Sequence, residues 1–286
     1  MVGARPRTLP AAVVPVLVGT ACAHAAADPM WWRMSLAAIV SVCLQIGVNY
    51  ANDYSDGVKG TDDARVGPLR LVGSGIASAK AVKRAAFLMF FIAACAGLIL
   101  ATMTSLWLLA VGFVAIVAAW TYTGGPRPYG YAGLGEIFVF IFFGLVATVG
   151  TEYVVSEQFT STGLAASVAV GCFACSLLVI NNLRDIPGDT VANKRTLAVK
   201  LGDISTRKLF ALLAMCSALA IGITSLTSGI FSIAGLIGVV ALRPALNDVA
   251  RGAKGRNLIP VLGAVGRAQL IMGVSFSVGL YFSVAG

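Results

Sequence analysis

The chain of 286 residues is 58% hydrophobic and only 12% charged, with a mean hydropathy of +0.88. That composition excludes an ordinary soluble domain and implies a multi-span membrane protein. The net charge of +9 then belongs to the connections, where it sets orientation and attracts anionic lipid or substrate without calling for nucleic acid.

A span needs roughly 20 apolar residues, and a lipid-exposed segment must be helical because its backbone groups find no other partner. The apolar runs predict an all-α polytopic protein, one transmembrane domain over 1–286 with nine helices at 9–27, 32–51, 83–103, 105–123, 134–151, 163–183, 208–227, 229–246 and 258–284. Arg5 and Arg7 ahead of an apolar run that ends in Ala23-His24-Ala25 imitate a secretory signal. Pro10, Pro15 and the eight segments that follow favour a retained first helix.

The second helix ends in a polar stripe, Gln45, Asn49, Asn52 and Asp56, spaced by four, three and four. These four share one helix face, and Asp53 stands next to it, one turn after Asn49. The connection that follows carries Lys59, Arg65 and Arg70 and the Gly-rich LVGSG at Leu71 to Gly75, which has no GK[ST] after it and reads as a cap rather than a nucleotide loop. The fourth helix returns through YTGGPRPYGY, with Tyr122 and Arg127, and the fifth opens on Glu136, either a site residue or the partner of a nearby base. The sixth ends in Asn181, Asn182, Arg184, Asp185 and Asp189, followed by Lys194 and Arg195. If that helix persists through Pro187, its two aspartates also share a face.

Of the 21 lysines and arginines, all but Arg33 and Arg267 fall in the N-terminal segment and one set of alternate connections. The bias predicts a cytoplasmic N-terminus and cytoplasmic acidic motifs, with Arg33, Asp28, Glu152 and Glu157 on the other side. The six cysteines all lie in predicted helices. The pair Cys172 and Cys175 lacks the second pair or histidine of a metal site and reads as buried thiols, and His24 reads as structural.

Charges at a membrane surface are ordinarily solvated helix ends. Carboxylates are, however, disfavoured at helix C-termini, and two stripes of acceptors repel their own kind. Hard oxygen ligands gathered at separate points suit Mg²⁺, which bridges carboxylates to substrate phosphates. Lys59, Arg65, Arg70, Lys194 and Arg195 are placed to hold phosphate oxygens. The motif follows helix two and again helix six, which suggests two halves of four helices facing one central cavity, plus a ninth helix. A transporter for an anionic amphiphile is the competing class, but its substrate site is expected at mid-membrane, where these helices are nearly free of charge.

NDYSD, Asn52 to Asp56, resembles the NDxxD motif of the UbiA superfamily of intramembrane prenyltransferases, and RDIPGD, Arg184 to Asp189, resembles its second aspartate-rich motif. GARPRTLPAAVVPVLVGTA, DDARVGPLRLVGSG, YTGGPRPYGYAGLGE and NNLRDIPGDTVANKRTLAVKLGD resemble the MenA branch, the 1,4-dihydroxy-2-naphthoate polyprenyltransferases, over most of the chain. The resemblance implies nine helices and a Mg²⁺-dependent enzyme in the cell membrane. Its substrates would be a polyprenyl diphosphate and 1,4-dihydroxy-2-naphthoate, its product demethylmenaquinol, and its active site would face the cytoplasm. It implies Asn52, Asp56, Asp185 and Asp189 as metal ligands, and Asp53, Asp56, Asp185 and Asp189 as the catalytic acids. Asp53 is implied as a further ligand or a partner supporting the site. Asn49, Lys59, Arg65, Arg70, Tyr122, Arg127, Asn182, Lys194 and Arg195 are the implied substrate contacts, Tyr122 and Arg127 being alternatively an interfacial aromatic and a topogenic arginine. The third acid of some members falls on Gly60, with Asp62 and Asp63 beyond it.

Overall fold

The computed structural model describes residues 2–60 and 70–283. Among them are nine principal helical segments: α1 (Pro10–Ala26), α2 (Trp31–Val58), α3 (Ala79–Met103), α4 (Leu108–Thr121), α5 (Gly135–Ser156), α6 (Ser161–Val191), α7 (Leu197–Ser228), α8 (Ile230–Ala250) and α9 (Leu258–Ser283). All but α4 are long and apolar enough to cross a bilayer; α4 has 14 residues. The chain is a multi-pass membrane protein.

Several helices outrun the apolar patterns that predicted them. α2 continues to Val58 and α6 to Val191, because their polar ends remain one-sided stripes and a helix serves to project them beyond the apolar layer. Pro187 sits within α6, close enough to its end that the helix is not broken. α7 starts eleven residues before the predicted 208 and bends at Gly202, whose φ of 76° is in the left-handed region open to glycine. Thr160 and Thr196 cap α6 and α7, each hydroxyl accepting a main-chain N–H three residues on.

α2 packs closely on α3 and α6 on α7, equivalent positions four helices apart, as the recurrence of the motif implies. α1 packs against α5, α6 and α9 as an integral helix. A large apolar core, including Val14, Phe173, Phe210, Leu242, Met272 and Phe276, joins α1 to α6, α7, α8 and α9. The other side of the bundle is hollow. Lipid-facing side chains such as Phe91, Phe113, Met215 and Leu226 stay exposed, as expected where the solvent is hydrocarbon.

α5 contains a π-helical stretch, Phe140–Val146. At its centre Gly144 lies against Gly171 of α6, so close that a Cβ on Gly144 would stand 2.6 Å from the Gly171 Cα. The backbones touch because both residues lack side chains. The π turn also aims the inner face of α5. Phe138, Phe142, Val146, Gly150 and Val154 all reach the hollow; in a regular helix each four-residue step would rotate away by about 40°, and the wider turn takes up part of that drift.

Candidate active site

The hollow is a cavity of about 1350 Å³, above the roughly 300–1,000 Å³ of ordinary small-molecule sites. Its wall comes from α1 to α6, with Ile259 and Leu262 of α9 added, so it lies off-centre rather than between two equal halves. One end is polar, formed by the C-terminal turns of α2 and α6. From there the cavity descends past Leu44, Val48 and Phe142 to Leu100, Leu108 and Val154, which belong to the opposite ends of α3, α4 and α5. It spans the depth of the bundle.

Asp56 is 4% exposed and joins the two motifs. Its Oδ1 accepts from Lys194 Nζ at 2.9 Å and from the Tyr131 hydroxyl at 2.5 Å; the Arg70 guanidinium comes within 3.6 Å of Oδ2. Lys59 and Lys194 both stand over the Tyr131 ring, 4.8 and 4.7 Å from its centre, so one aromatic face system and one carboxylate gather two ammonium groups. Lys59 also donates to the Thr123 carbonyl at 2.9 Å. Partial burial lowers the Lys59 ammonium from the usual lysine range, with Lys194 adding to the shift and Asp56 opposing it.

The α6 motif is arranged differently. Arg184 is 3% exposed and grips its neighbour Asp185 through two 2.7 Å bonds while also donating to Asn181 at 2.8 Å. Asp189 faces the cavity, its Oδ2 3.5 Å from the Thr196 hydroxyl. Asn52 accepts from the Thr123 hydroxyl at 2.7 Å, leaving its carbonyl oxygen a second lone pair. Asn49 donates to the Ala4 carbonyl and the Thr8 hydroxyl, which folds the N-terminal segment across the mouth and brings Arg5 and Arg7 into the wall. Asn182 donates to Glu136 Oε1 at 2.9 Å. Glu136 is buried behind the wall with its other oxygen unpartnered.

Of the residues singled out from the sequence, Asn49, Asn52, Asp56, Lys59, Arg70, Tyr122, Asn182, Asp185, Asp189 and Lys194 all line this one cavity. Arg65, like Asp62 and Asp63, lies outside the described residues. Arg127 and Arg195 are exposed and lie outside this wall, and Arg195 donates its backbone N–H to the Tyr131 carbonyl. Asp53 also turns away from the cavity, toward the main chain of residues 71 and 72. Tyr131, Thr123, Arg184, Arg5 and Arg7 are the site residues that sequence reasoning passed over. Tyr131 lies inside YTGGPRPYGY and Arg184 inside RDIPGD, while Arg5 and Arg7 read from sequence as orienting charges.

Among the described residues no three acidic, histidine or cysteine side chains converge as a metal cage. The donors are carboxylate and amide oxygens in two separate groups with cationic side chains between them. That set fits a hard divalent cation such as Mg²⁺, held by one or two carboxylates and completed by phosphate oxygens and water.

The family model described as the UbiA prenyltransferase family matches residues 12–258. The chain is 49% identical over 281 residues to the 1,4-dihydroxy-2-naphthoate octaprenyltransferase of Mycobacterium tuberculosis, covering 98% of this chain and 96% of the relative. It is 36% identical to the enzyme of the same name from Escherichia coli, covering 91% and 92%. A UbiA homolog from Aeropyrum pernix shares the fold with a TM-score of 0.73 at 14% identity, over 94% and 97% of the two chains. A UbiA homolog from Archaeoglobus fulgidus, solved with GPP and Mg²⁺, gives 0.61 at 12% identity over 98% and 100%.

Proposed function

The chain belongs to the UbiA prenyltransferase family, and from that premise we propose that it transfers a polyprenyl group from an allylic polyprenyl diphosphate to 1,4-dihydroxy-2-naphthoate, giving demethylmenaquinol. One observation carries the reading: the two acidic motifs and the cations Lys59, Arg70, Arg184 and Lys194 meet at the polar mouth of an apolar cavity that runs the depth of the bundle. An amphiphile with a diphosphate head and a long hydrocarbon tail matches that shape and polarity. We place the polar mouth and the N-terminus on the cytoplasmic side of the cell membrane, following the distribution of bases.

In this reading Asn52, Asp56, Asp185 and Asp189 would hold Mg²⁺, which when bound would supply Lewis-acid neutralisation of negative charge on the diphosphate. Arg70, Lys194 and Lys59 stand where the diphosphate oxygens arrive. As its C–O bond breaks, the electron pair stays on oxygen and these preorganised charges stabilise it. Lys194 and Arg70 already pair with Asp56 before substrate arrives, so the buried carboxylate is not left alone. The apolar wall keeps water from the allylic cation.

The cation is attacked by the ring carbon that bears the carboxylate, forming a C–C bond. Loss of CO₂ returns its electron pair to the ring and restores aromaticity. No strong base is needed, in keeping with a mouth rich in cations and a single histidine, His24, that instead stacks on Tyr281 at the far end of α1 with ring centres 4.3 Å apart. Purified protein given a polyprenyl diphosphate, Mg²⁺ and 1,4-dihydroxy-2-naphthoate is expected to release one CO₂ per transfer, to stop in EDTA, and to use 4-hydroxybenzoate poorly. A product that retains its carboxylate, or a preference for 4-hydroxybenzoate, would overturn the acceptor; turnover in EDTA would overturn the metal.

A further inference from the structure

Asp53 is the acid of the first motif that the cavity does not use. It is 1% exposed and lies off the Asn52 and Asp56 face of α2, on the face it shares with Gly57 one turn later. That face seats the turn formed by residues 70–77. Asp53 Oδ2 accepts the Leu71 N–H at 2.9 Å and Oδ1 accepts the Val72 N–H at 3.0 Å, two charge-assisted bonds to consecutive amides. Gly57 completes the seat: a Cβ there would stand 2.5 Å from Val72 Cγ1.

The seated turn is closed on itself. Ala77 N–H donates to the Leu71 carbonyl at 3.0 Å, Gly75 to Val72 at 3.0 Å and Ser74 to Arg70 at 3.1 Å. Its first residue is Arg70, whose guanidinium enters the cavity wall beside Asp56. Fixing residues 71 and 72 therefore fixes where Arg70 begins. An acid that ligated metal would aim its lone pairs into the cavity, and both oxygens of Asp53 are directed elsewhere.

We propose that Asp53 is a positioning residue: its carboxylate anchors the 70–77 turn to α2 and so holds Arg70 at the place where the donor's diphosphate binds. The proposal rests on the prenyl-transfer reading and names the device that seats the diphosphate. Asparagine at 53 offers one acceptor and turns an N–H₂ toward the other amide, so Asp53→Asn loosens the anchor without changing side-chain size. Gly57→Ala lifts the same turn from the other contact and removes no charge.

The test is a double-mutant cycle in the full chain, with Asp53→Asn, Gly57→Ala and Arg70→Gln alone and combined, read both as KM for the prenyl diphosphate and as Mg²⁺-dependent binding of inorganic pyrophosphate by calorimetry. Asp53→Asn and Gly57→Ala are each expected to raise donor KM and weaken pyrophosphate binding about tenfold, with acceptor KM and the magnesium half-saturation within about twofold. Added to Arg70→Gln, neither is expected to cost more than Arg70→Gln alone. Fully additive effects overturn the proposal. So does an Asp53→Asn chain whose magnesium requirement rises while kcat collapses, the signature of a lost ligand. If Asp53→Asn does not fold, Gly57→Ala decides on the same criteria. A wild-type chain that binds pyrophosphate but transfers no prenyl group would overturn the function, while the binding cycle still judges the anchor.

Discussion

Buried ionic groups at the end of the bundle near Arg33 close on helix termini, whereas those around Asp56 close on a cavity. Arg33, 4% exposed, donates to the carbonyls of Met103 and Val154 at 2.9 and 3.1 Å and to Glu157 at 2.7 Å, binding the last turns of α3 and α5 to the first turn of α2. Glu152, fully buried, accepts from the Thr160 hydroxyl. Asp56 is as buried as Arg33, yet its partners come from the Lys194 loop, the Tyr131 loop and the Arg70 turn, and all of them line one space. Depth of burial therefore does not distinguish site from scaffold. What distinguishes them is whether the partners are helix-end carbonyls, which need a donor permanently, or other side chains around a volume that a ligand can enter.

The largest effect should separate the ends outright. Asp56→Asn or Asp189→Asn removes a charge at the mouth, and each is expected to lower prenyl transfer per folded molecule by about a hundredfold or more. Asp248, exposed on α8, is the control and should tolerate the same change. Near-normal turnover in both cavity variants would erase the distinction drawn here.

At the other end the expected loss is in stability. Arg33→Met leaves two helix-end carbonyls without their donor and should cost about 2–4 kcal/mol of stability, read as a lower melting temperature, while kcat per folded molecule holds. Glu157 is 47% exposed, so Glu157→Gln should cost only about 0–1 kcal/mol. If Arg33→Met instead lowers kcat in protein that melts normally, that end of the bundle takes part in the reaction.

Both ends differ as well in how much of them could be read from the sequence. The stripe Gln45, Asn49, Asn52, Asp56 was legible because helical spacing alone puts it on one face, and Arg33 with Glu157 was legible as the side poor in bases. Tyr131 and Thr123 were not, since their partners Asp56 and Asn52 are 75 and 71 residues away and meet only when the loop after α4 folds back. The outward facing of Arg127 and Arg195 was not legible because both sit in loops, where spacing carries no facing information. The ends of α2 and α6 were drawn short because hydropathy marks where the apolar layer stops, and the backbone goes on. Asp53 could be placed off the stripe by its 100° offset, but nothing in the local sequence tells that residues 71 and 72 return to it.

Tyr131 sharpens the cavity side of the comparison. Tyr131→Phe removes the bond to Asp56 and keeps the ring between Lys59 and Lys194. It should lower kcat/KM by about tenfold and leave the fold intact; a larger loss, equal to Asp56→Asn, would mean that the hydroxyl itself touches the reacting groups.

The smallest effect lies between the two ends, along the apolar length of the cavity. Gly112 of α4 and Gly150 of α5 both line it, and a Cβ on either would meet nothing within 4 Å. Neither has a positive φ, so backbone geometry does not demand glycine, and glycine within a helix costs about 1 kcal/mol against alanine. Under the proposed function, the space they leave is room for the prenyl tail. Gly150→Leu should raise helix propensity and fill that room, so a donor of two isoprene units should keep its kcat/KM while a long polyprenyl donor loses about threefold to tenfold. The loss is modest because a flexible tail can shift sideways within the cavity. An equal loss for short and long donors would place the obstruction at the reacting end, and no loss for either would show that the tail leaves the cavity before it reaches α5 Gly150.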